Sequence, residues 1–303
     1  SDEAEILSGV FEGQTTGTPL SIMIRNRDAK PHDYAAVKDV LRPGHANFTY
    51  LEKYGIYDYR GVGRASARET ACRVAAGAIA KKLLMQEGIE LAAYLSACGS
   101  VESSLPTSEV DSLREQVRAS PLFCPDESAT QAMTALLIEV EKEGDSLGGM
   151  VTLMAEGLPP GLGEPIFDRL EARLAAAMLS LPASKGFEMG CGMESARMRG
   201  SVHNDLFEKS VEGKTITKTN YAGGTLGGLS SGMPLVARVA FKPPSSIRKP
   251  QETLDLKGEK AVLELPKSGR YDPCVAIRAV PVVEAMGALV LADFLLLARS
   301  AKL

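Results

Sequence analysis

The periodicity of apolar residues changes several times along this chain, and each change marks a predicted element. Between residues 5 and 24, the apolar pairs Ile6-Leu7 and Val10-Phe11 are separated from Leu20 to Ile24 by turn-forming residues Gly13 to Pro19, which predicts a hairpin. Residues 25–64 show no sustained period and are rich in Arg, Tyr, Gly and His. A loop that long inside a compact chain is a candidate functional segment. At Ser66 the pattern turns helical: Ser66-Ala67-Arg68-Glu69 has the form of a capping box, and Val74, Ala75, Ala78, Ile79 and Leu83 follow at helix spacing. Residues 89–98 read as a strand, 126–143 as an amphipathic helix with Met133, Leu136, Leu137 and Val140 on one side, 150–155 as a strand, and 166–181 as a third helix. Strand-like runs at 234–241 and 261–265 precede a fourth helix from about Pro281, a residue suited to a first helical position. Short strands and Gly-rich turns separate the helices without a regular βαβ rhythm. The predicted fold class is therefore α+β, a sandwich and not a doubly wound sheet, with no linker dividing residues 1–303.

Composition narrows the function. With 303 residues, 45% of them apolar and 24% charged, the chain can bury a full core, which excludes disorder. A net charge of -4, no Trp and 5% aromatic residues argue against nucleic acid as a partner. The most apolar run, Ala285 to Ala298, contains Asp293 and is flanked by Glu284 and Arg299, so it is expected to be a buried helix and not a membrane span. The opening Ser-Asp-Glu-Ala-Glu lacks the basic and apolar parts of a secretory leader, which predicts a cytoplasmic protein. Five cysteines without C-x-x-C spacing predict reduced, mostly buried thiols, with neither a disulfide framework nor a zinc site.

Five segments carry candidate chemistry. Gly61-Val62-Gly63-Arg64-Ala65-Ser66 approaches G-x-G-x-x-G, but the preceding Tyr57-Asp58-Tyr59-Arg60 is no hydrophobic strand, which excludes a dinucleotide-binding fingerprint. Its glycines and the helix amino terminus still suit an anion, with Arg64 and Arg68 as bidentate donors; a plain helix-entry turn is the alternative. Arg42-Pro43-Gly44-His45 sets a histidine after a turn, where it suits proton exchange near neutral pH. His45 is the candidate general acid, whereas His32 and His203, in polar turn-like surroundings, are expected at the surface. The glycine run from Ala222 to Gly232 lacks the G-K-S/T ending of a P-loop, which leaves either close approach by a ligand or a packed turn. Lys242-Pro243-Pro244-Ser245-Ser246 is a rigid, cationic and hydroxylated anchor for phosphate, or else a solvent loop after a strand. In Gly269-Arg270-Tyr271-Asp272-Pro273-Cys274, an anion contact sits close to a carboxylate able to move a proton, although a surface turn uses the same residues. Basic groups on Gly-rich or Pro-rigid loops, in a chain acidic overall, suit a phosphorylated carboxylic acid and a phosphorylated cofactor.

Taken in order, these segments resemble the chorismate synthase family. The likeness runs from Glu5-Ile-Leu-Ser-Gly-Val-Phe-Glu-Gly through Arg42-Pro-Gly-His, Ser66-Ala-Arg-Glu-Thr, Glu143-Gly-Asp-Ser and Gly161-Leu-Gly-Glu-Pro to the Ala222 glycine run, Lys242-Pro and Arg270-Tyr-Asp-Pro-Cys. The resemblance implies a homotetramer of β-α-β sandwich subunits, with helices between antiparallel sheets. It implies an anti-1,4 elimination of phosphate from 5-enolpyruvylshikimate 3-phosphate that yields chorismate in aromatic amino acid biosynthesis. Reduced FMN is the implied cofactor, with NADPH or an external donor as its reductant.

By the same likeness, His45 protonates near the flavin or the departing phosphate and Asp272 assists removal of the ring proton. Arg64, Ala65, Ser66, Ala183, Gly227, Lys242, Pro243, Pro244, Ser245, Ser246 and Arg270 fall where the family binds FMN, and Arg42 and Arg68 where it grips substrate. The sequence departs from the family pattern at Asn47 (usually Asp), Val62 (Gly), Ala65 (Ser), Tyr271 (His) and Pro182 (a flavin-contacting Asn). The family also opens with a Gly-Glu-Ser-His-Gly segment and an Arg-rich stretch, and this sequence begins after both. A molecule truly lacking them is expected to be impaired, a flavin-binding or assembly module. An unrelated phosphosugar-binding enzyme without flavin is the third reading.

Overall fold

The computed structural model describes residues 2–27, 35, 37–60, 63–104, 109–265 and 271–301. The amino-terminal hairpin forms as expected: β1 (Ala4–Ser8) pairs antiparallel with β4 (Ser21–Ile24), and β2 (Val10–Phe11) pairs with β3 (Gln14–Thr15) between them. After α1 (Asn47–Tyr54) and α2 (Thr70–Gln86) come β5 (Glu90–Cys98), β6 (Val101–Glu102), α3 (Val110–Ala119), α4 (Glu127–Glu143) and β7 (Gly149–Glu156). The second half contains α5 (Leu170–Leu179), β8 (Ser184–Met189), α6 (Gly200–His203), β9 (Phe207–Lys209) and β10 (Thr215–Thr217). It continues through β11 (Thr225–Leu226), β12 (Leu229–Ser230), β13 (Leu235–Phe241), β14 (Gln251–Leu254) and β15 (Lys260–Leu263) to α7 (Val275–Ala298).

One five-stranded antiparallel sheet, in the order β6-β5-β7-β13-β8, carries the core. Its register sets Leu91, Ala155 and Leu235 in one row, Ala93, Leu153 and Ala237 in the next, and Leu95, Val151 and Val239 in a third. Because side chains alternate across a strand, all nine face one side, and all are buried there beneath α7 and α5. On the opposite face, Ala92 and Met154 pack against Val110, Leu113 and Val117 of α3. Helix α2 lies along α7 and also contacts β4, so the helices are held between the large sheet and the β1–β4 ribbon. This is the expected α+β sandwich.

Several expectations need correction. The aperiodic loop at 25–64 contains α1, whose sequence buries only Asn47 and so shows no apolar stripe. Helix α3 and strand β8 were not expected either. The third helix is shorter than 166–181, since Ile166 takes a left-handed backbone and Phe167 is exposed before the helix starts at Leu170. The last helix begins at Val275, with Pro281 inside it and not at its start. Burial of Ala276, Ala279 and Val280 holds the helix through the proline, although a proline removes one backbone donor. At 24 residues, α7 is long and apolar enough to cross a membrane by length and composition, yet 12 of its residues are buried within the fold. It is a core helix for that reason, and not because the apolar run is short. Of the cysteines, Cys98, Cys124 and Cys274 are buried, Cys191 is half-buried and Cys72 is exposed.

Candidate functional site

Five pieces of chain meet at one end of the helical layer and enclose a cavity of about 720 Å³. They are the Arg42–Ala46 turn before α1, the Arg64–Glu69 entry to α2, the Ser180–Ala183 turn between α5 and β8, the Lys242–Ser246 segment after β13, and Val275 at the start of α7.

The first turn is fixed from beneath. Asn47, fully buried, accepts from the Arg42 amide at 3.2 Å and donates to the Val40 carbonyl at 3.1 Å. The amide of Leu41 donates to Leu254 of β14 at 2.9 Å, and Thr253 Oγ1 donates to the Leu41 carbonyl at 2.6 Å. Gly44 takes φ +67, and a Cβ there would meet Ser245 Cβ at 3.3 Å, so this position needs glycine for conformation and for close approach. The turn is cross-linked to the Lys242–Ser246 segment: Lys242 Nζ donates to the Gly44 carbonyl at 2.9 Å, and an Arg42 Nη donates to Ser246 Oγ at 2.6 Å.

His45 stands between these cations. Burial, then the Arg42 and Lys242 charges, lower its pKa from 6.5 to about 4, because each disfavours the imidazolium. Its Nδ1 is buried without a hydrogen-bond partner among the described residues. Burial and the charge of Lys185 likewise lower the Lys242 pKa from its ordinary value. At the α2 entry, Ser66 Oγ accepts from the Arg68 amide at 3.3 Å and caps a 3-10 turn, Ala67–Glu69, before the α-helix begins at Thr70. The capping box is thus half formed, since Glu69 pairs with Arg73 at 2.9 Å instead of reaching back.

Of the residues singled out from sequence, Arg42, His45, Arg64, Ala65, Ser66, Ala183, Lys242, Pro244, Ser245 and Ser246 all line this cavity. Pro243 is exposed beside it and does not line it. Asp272 accepts from Arg278 Nε at 2.7 Å and lines a small adjoining recess, which shares Ser246 with the cavity. Arg68 points elsewhere, to Asp2 at 2.6 Å and the Arg25 carbonyl at 3.4 Å. Gly227 lies in the β11–β12 turn, outside the lining. Arg270, Gly61, Val62 and His32 lie outside the described residues. His203 is half-buried and not simply at the surface: its Nε2 lies 3.2 Å from Ser195 Oγ and its ring stacks on Tyr221.

Sequence reasoning missed Tyr50, Glu69, Arg73 and Ser180 in the lining. Tyr50 rides on the unexpected α1, and Glu69 carried only a capping signal. Arg73 bridges to the Ser180 hydroxyl at 2.6 Å, tying α2 to the turn where Ala183 adopts φ +66. Arg42, Arg64 and Lys242, with hydroxyls at Ser66, Ser245 and Ser246, make the enclosure suited to phosphate and carboxylate groups.

The family model described as chorismate synthase matches residues 1–296. The chorismate synthase of Protochlamydia amoebophila is 53% identical over 307 aligned positions, spanning 100% of this chain and 83% of that protein. That of Opitutus terrae is 51% identical over 293 positions, 96% of this chain and 79% of that protein. A crystal structure of chorismate synthase superposes with a TM-score of 0.79 at 34% identity, covering 99% of this chain and 79% of that one. With the likeness extending over sequence, fold and nearly the full length, the chain belongs to the chorismate synthase family.

Proposed function

We propose that this protein acts as a lyase that eliminates phosphate from 5-enolpyruvylshikimate 3-phosphate in the anti-1,4 sense, giving chorismate for aromatic amino acid biosynthesis, with reduced FMN in the same cavity. The observation that carries this reading is the gathering of Arg42, Arg64 and Lys242 around His45 in one enclosure of about 720 Å³, a size ordinary for small-molecule sites. The lining fits a phosphorylated flavin. Lys242, Ser245 and Ser246 supply cation and hydroxyls for its phosphate; Ala65, Ser66 and Ala183 supply small, closely approachable surfaces; the Nδ1 of His45 is a buried atom still in need of a partner. When bound, the reduced flavin supplies electron density that helps phosphate leave and is recovered as the ring hydrogen departs.

The residues of the chain do the rest. Arg42 holds an anionic group of the substrate, and Arg64 one of the flavin, by charge-assisted hydrogen bonds. Burial does most to keep His45 neutral, and an anion that neutralises Arg42 and Lys242 removes the part their charges add, so the histidine gains proton affinity as its ligand arrives and serves as the proton donor. Asp272 assists removal of the ring proton from the recess that adjoins the cavity at Ser246. Pro243, Gly227, Arg68 and Arg270 are proposed to complete the flavin and substrate contacts when four copies assemble, in the cytoplasm, with NADPH or an external donor reducing the flavin.

The test is anaerobic mixing of the protein with photoreduced FMN and substrate. Chorismate and phosphate are expected in equal amounts. Perturbation of the flavin spectrum without either product would make the chain a flavin-binding module, and neither signal would remove flavin from the reading altogether.

A further inference from the structure

The Glu143-Gly144-Asp145-Ser146 motif contributes nothing to the lining of the cavity, yet with the following Leu147 it bonds to both chain segments that carry the proposed chemistry. The turn that follows α4 is rigid at both ends. Gly144 closes the helix in a left-handed conformation, with its amide returning to the Glu141 and Val140 carbonyls, and β7 starts at Gly149. From this short span, Ser146 Oγ donates to the Pro244 carbonyl at 2.7 Å. The Leu147 amide donates to the Pro273 carbonyl at 2.7 Å. The Gly144 carbonyl accepts from Arg248 and Lys249 amides at 2.9 and 3.2 Å, and Asp145 holds Lys249 Nζ at 2.7 Å.

Backbone groups make most of these links and survive any side-chain change; among this turn's side chains, the Ser146 hydroxyl is the donor that reaches the Pro243–Ser246 stretch, which also receives Arg42 Nη at the Ser246 hydroxyl and Gln251 Nε2 at the Ser245 carbonyl. Pro244 lacks an amide of its own, so its carbonyl is the only backbone hydrogen-bonding group available to set the height of that residue. Two residues further on, Ser246 accepts from Arg42, and Arg42 stands beside His45. We propose that Ser146 is a positioning residue: by anchoring the Pro244 carbonyl it keeps Ser245 and Ser246 turned toward the cavity, where they meet the phosphate of the bound flavin. This rests on the flavin reading given above, and Ser146 itself touches neither ligand.

The test compares Ser146→Ala and Ser146→Thr with the parent protein, using the dissociation constant for FMN from flavin fluorescence, KM and kcat, and the thermal midpoint. One lost hydrogen bond is expected to weaken FMN binding by about three- to tenfold in Ser146→Ala. KM for flavin should rise in step, kcat at saturating flavin should hold near the parent, and the thermal midpoint should move little. Threonine keeps the hydroxyl and should restore affinity. Parent-like FMN affinity in Ser146→Ala overturns the proposal, as does a threonine variant no better than alanine. Should the parent itself fail to bind FMN, the cofactor reading falls and hydrogen exchange decides the positioning role. Faster exchange of the Lys242 amide, which donates to Ala183 at 2.9 Å, supports it in Ser146→Ala, and an unchanged rate overturns it.

Discussion

His45 shows how neighbours set the chemistry of one side chain. Its ordinary pKa of 6.5 falls to about 4 through burial and the two adjacent cations. Between those values the unfolded chain binds a proton that the folded chain refuses. The contribution to stability is therefore full above pH 6.5 and is lost as pH falls toward 4. Replacing His45 with Gln, a neutral side chain of similar reach, removes this linkage. Parent and variant melted at pH 7.5 and pH 5 should diverge, the parent losing on the order of 1–2 kcal/mol more than His45→Gln on acidification. Equal losses would mean that His45 titrates normally. The candidate role of His45 was legible from the Arg42-Pro43-Gly44-His45 sequence, because turn chemistry is local. Its depressed pKa was not, since burial, the largest cause, and the charge of Lys242, 197 positions away, both arise only through the fold.

Local patterns located most elements and missed those whose reasons are tertiary. The segments at 89–98 and 150–155 are strands as expected, being apolar on both faces and covered by helices on both. Helix α1 was illegible because its contribution is the buried amide of Asn47, not an apolar stripe. Helix α7 outlasts Pro281 because packing on both sides compensates for the lost donor. That packing is closest where α2 crosses it: a Cβ at Gly77 would lie 2.4 Å from Ala285 Cβ and 2.6 Å from Ala285 Cα. Gly77→Ala would gain roughly 1 kcal/mol of helix propensity. It would force the two helices apart at a cost of about 1–3 kcal/mol or more. The steric effect is expected to win, lowering the urea midpoint; a midpoint at or above the parent's would show that the contact is loose.

Across the molecule, the large sheet has helices on both faces, whereas the peripheral ribbons are two-stranded and keep apolar side chains in solvent. Phe11, the last residue of β2, is 68% exposed, and Leu206 and Phe207 are 60% and 67% exposed at the β9–β10 ribbon. Isolated two-stranded ribbons are marginal in water, which supports the proposed assembly of four copies through such surfaces. Light scattering should give the mass of four chains for the parent and a smaller species for Phe207→Asp with unchanged circular dichroism; a monomeric parent would end that proposal. Sequence alone was enough for the α+β class, the cationic loops and the family, because strand and helix periods, turn residues and ordered motifs are written over a few neighbouring positions. Folding supplied the rest: which loops share one cavity, that Arg68 pairs with Asp2 while Arg73 enters the lining, and that α7 is core. Those outcomes depend on contacts between residues far apart in the chain, where burial and charge act through space and leave no local trace.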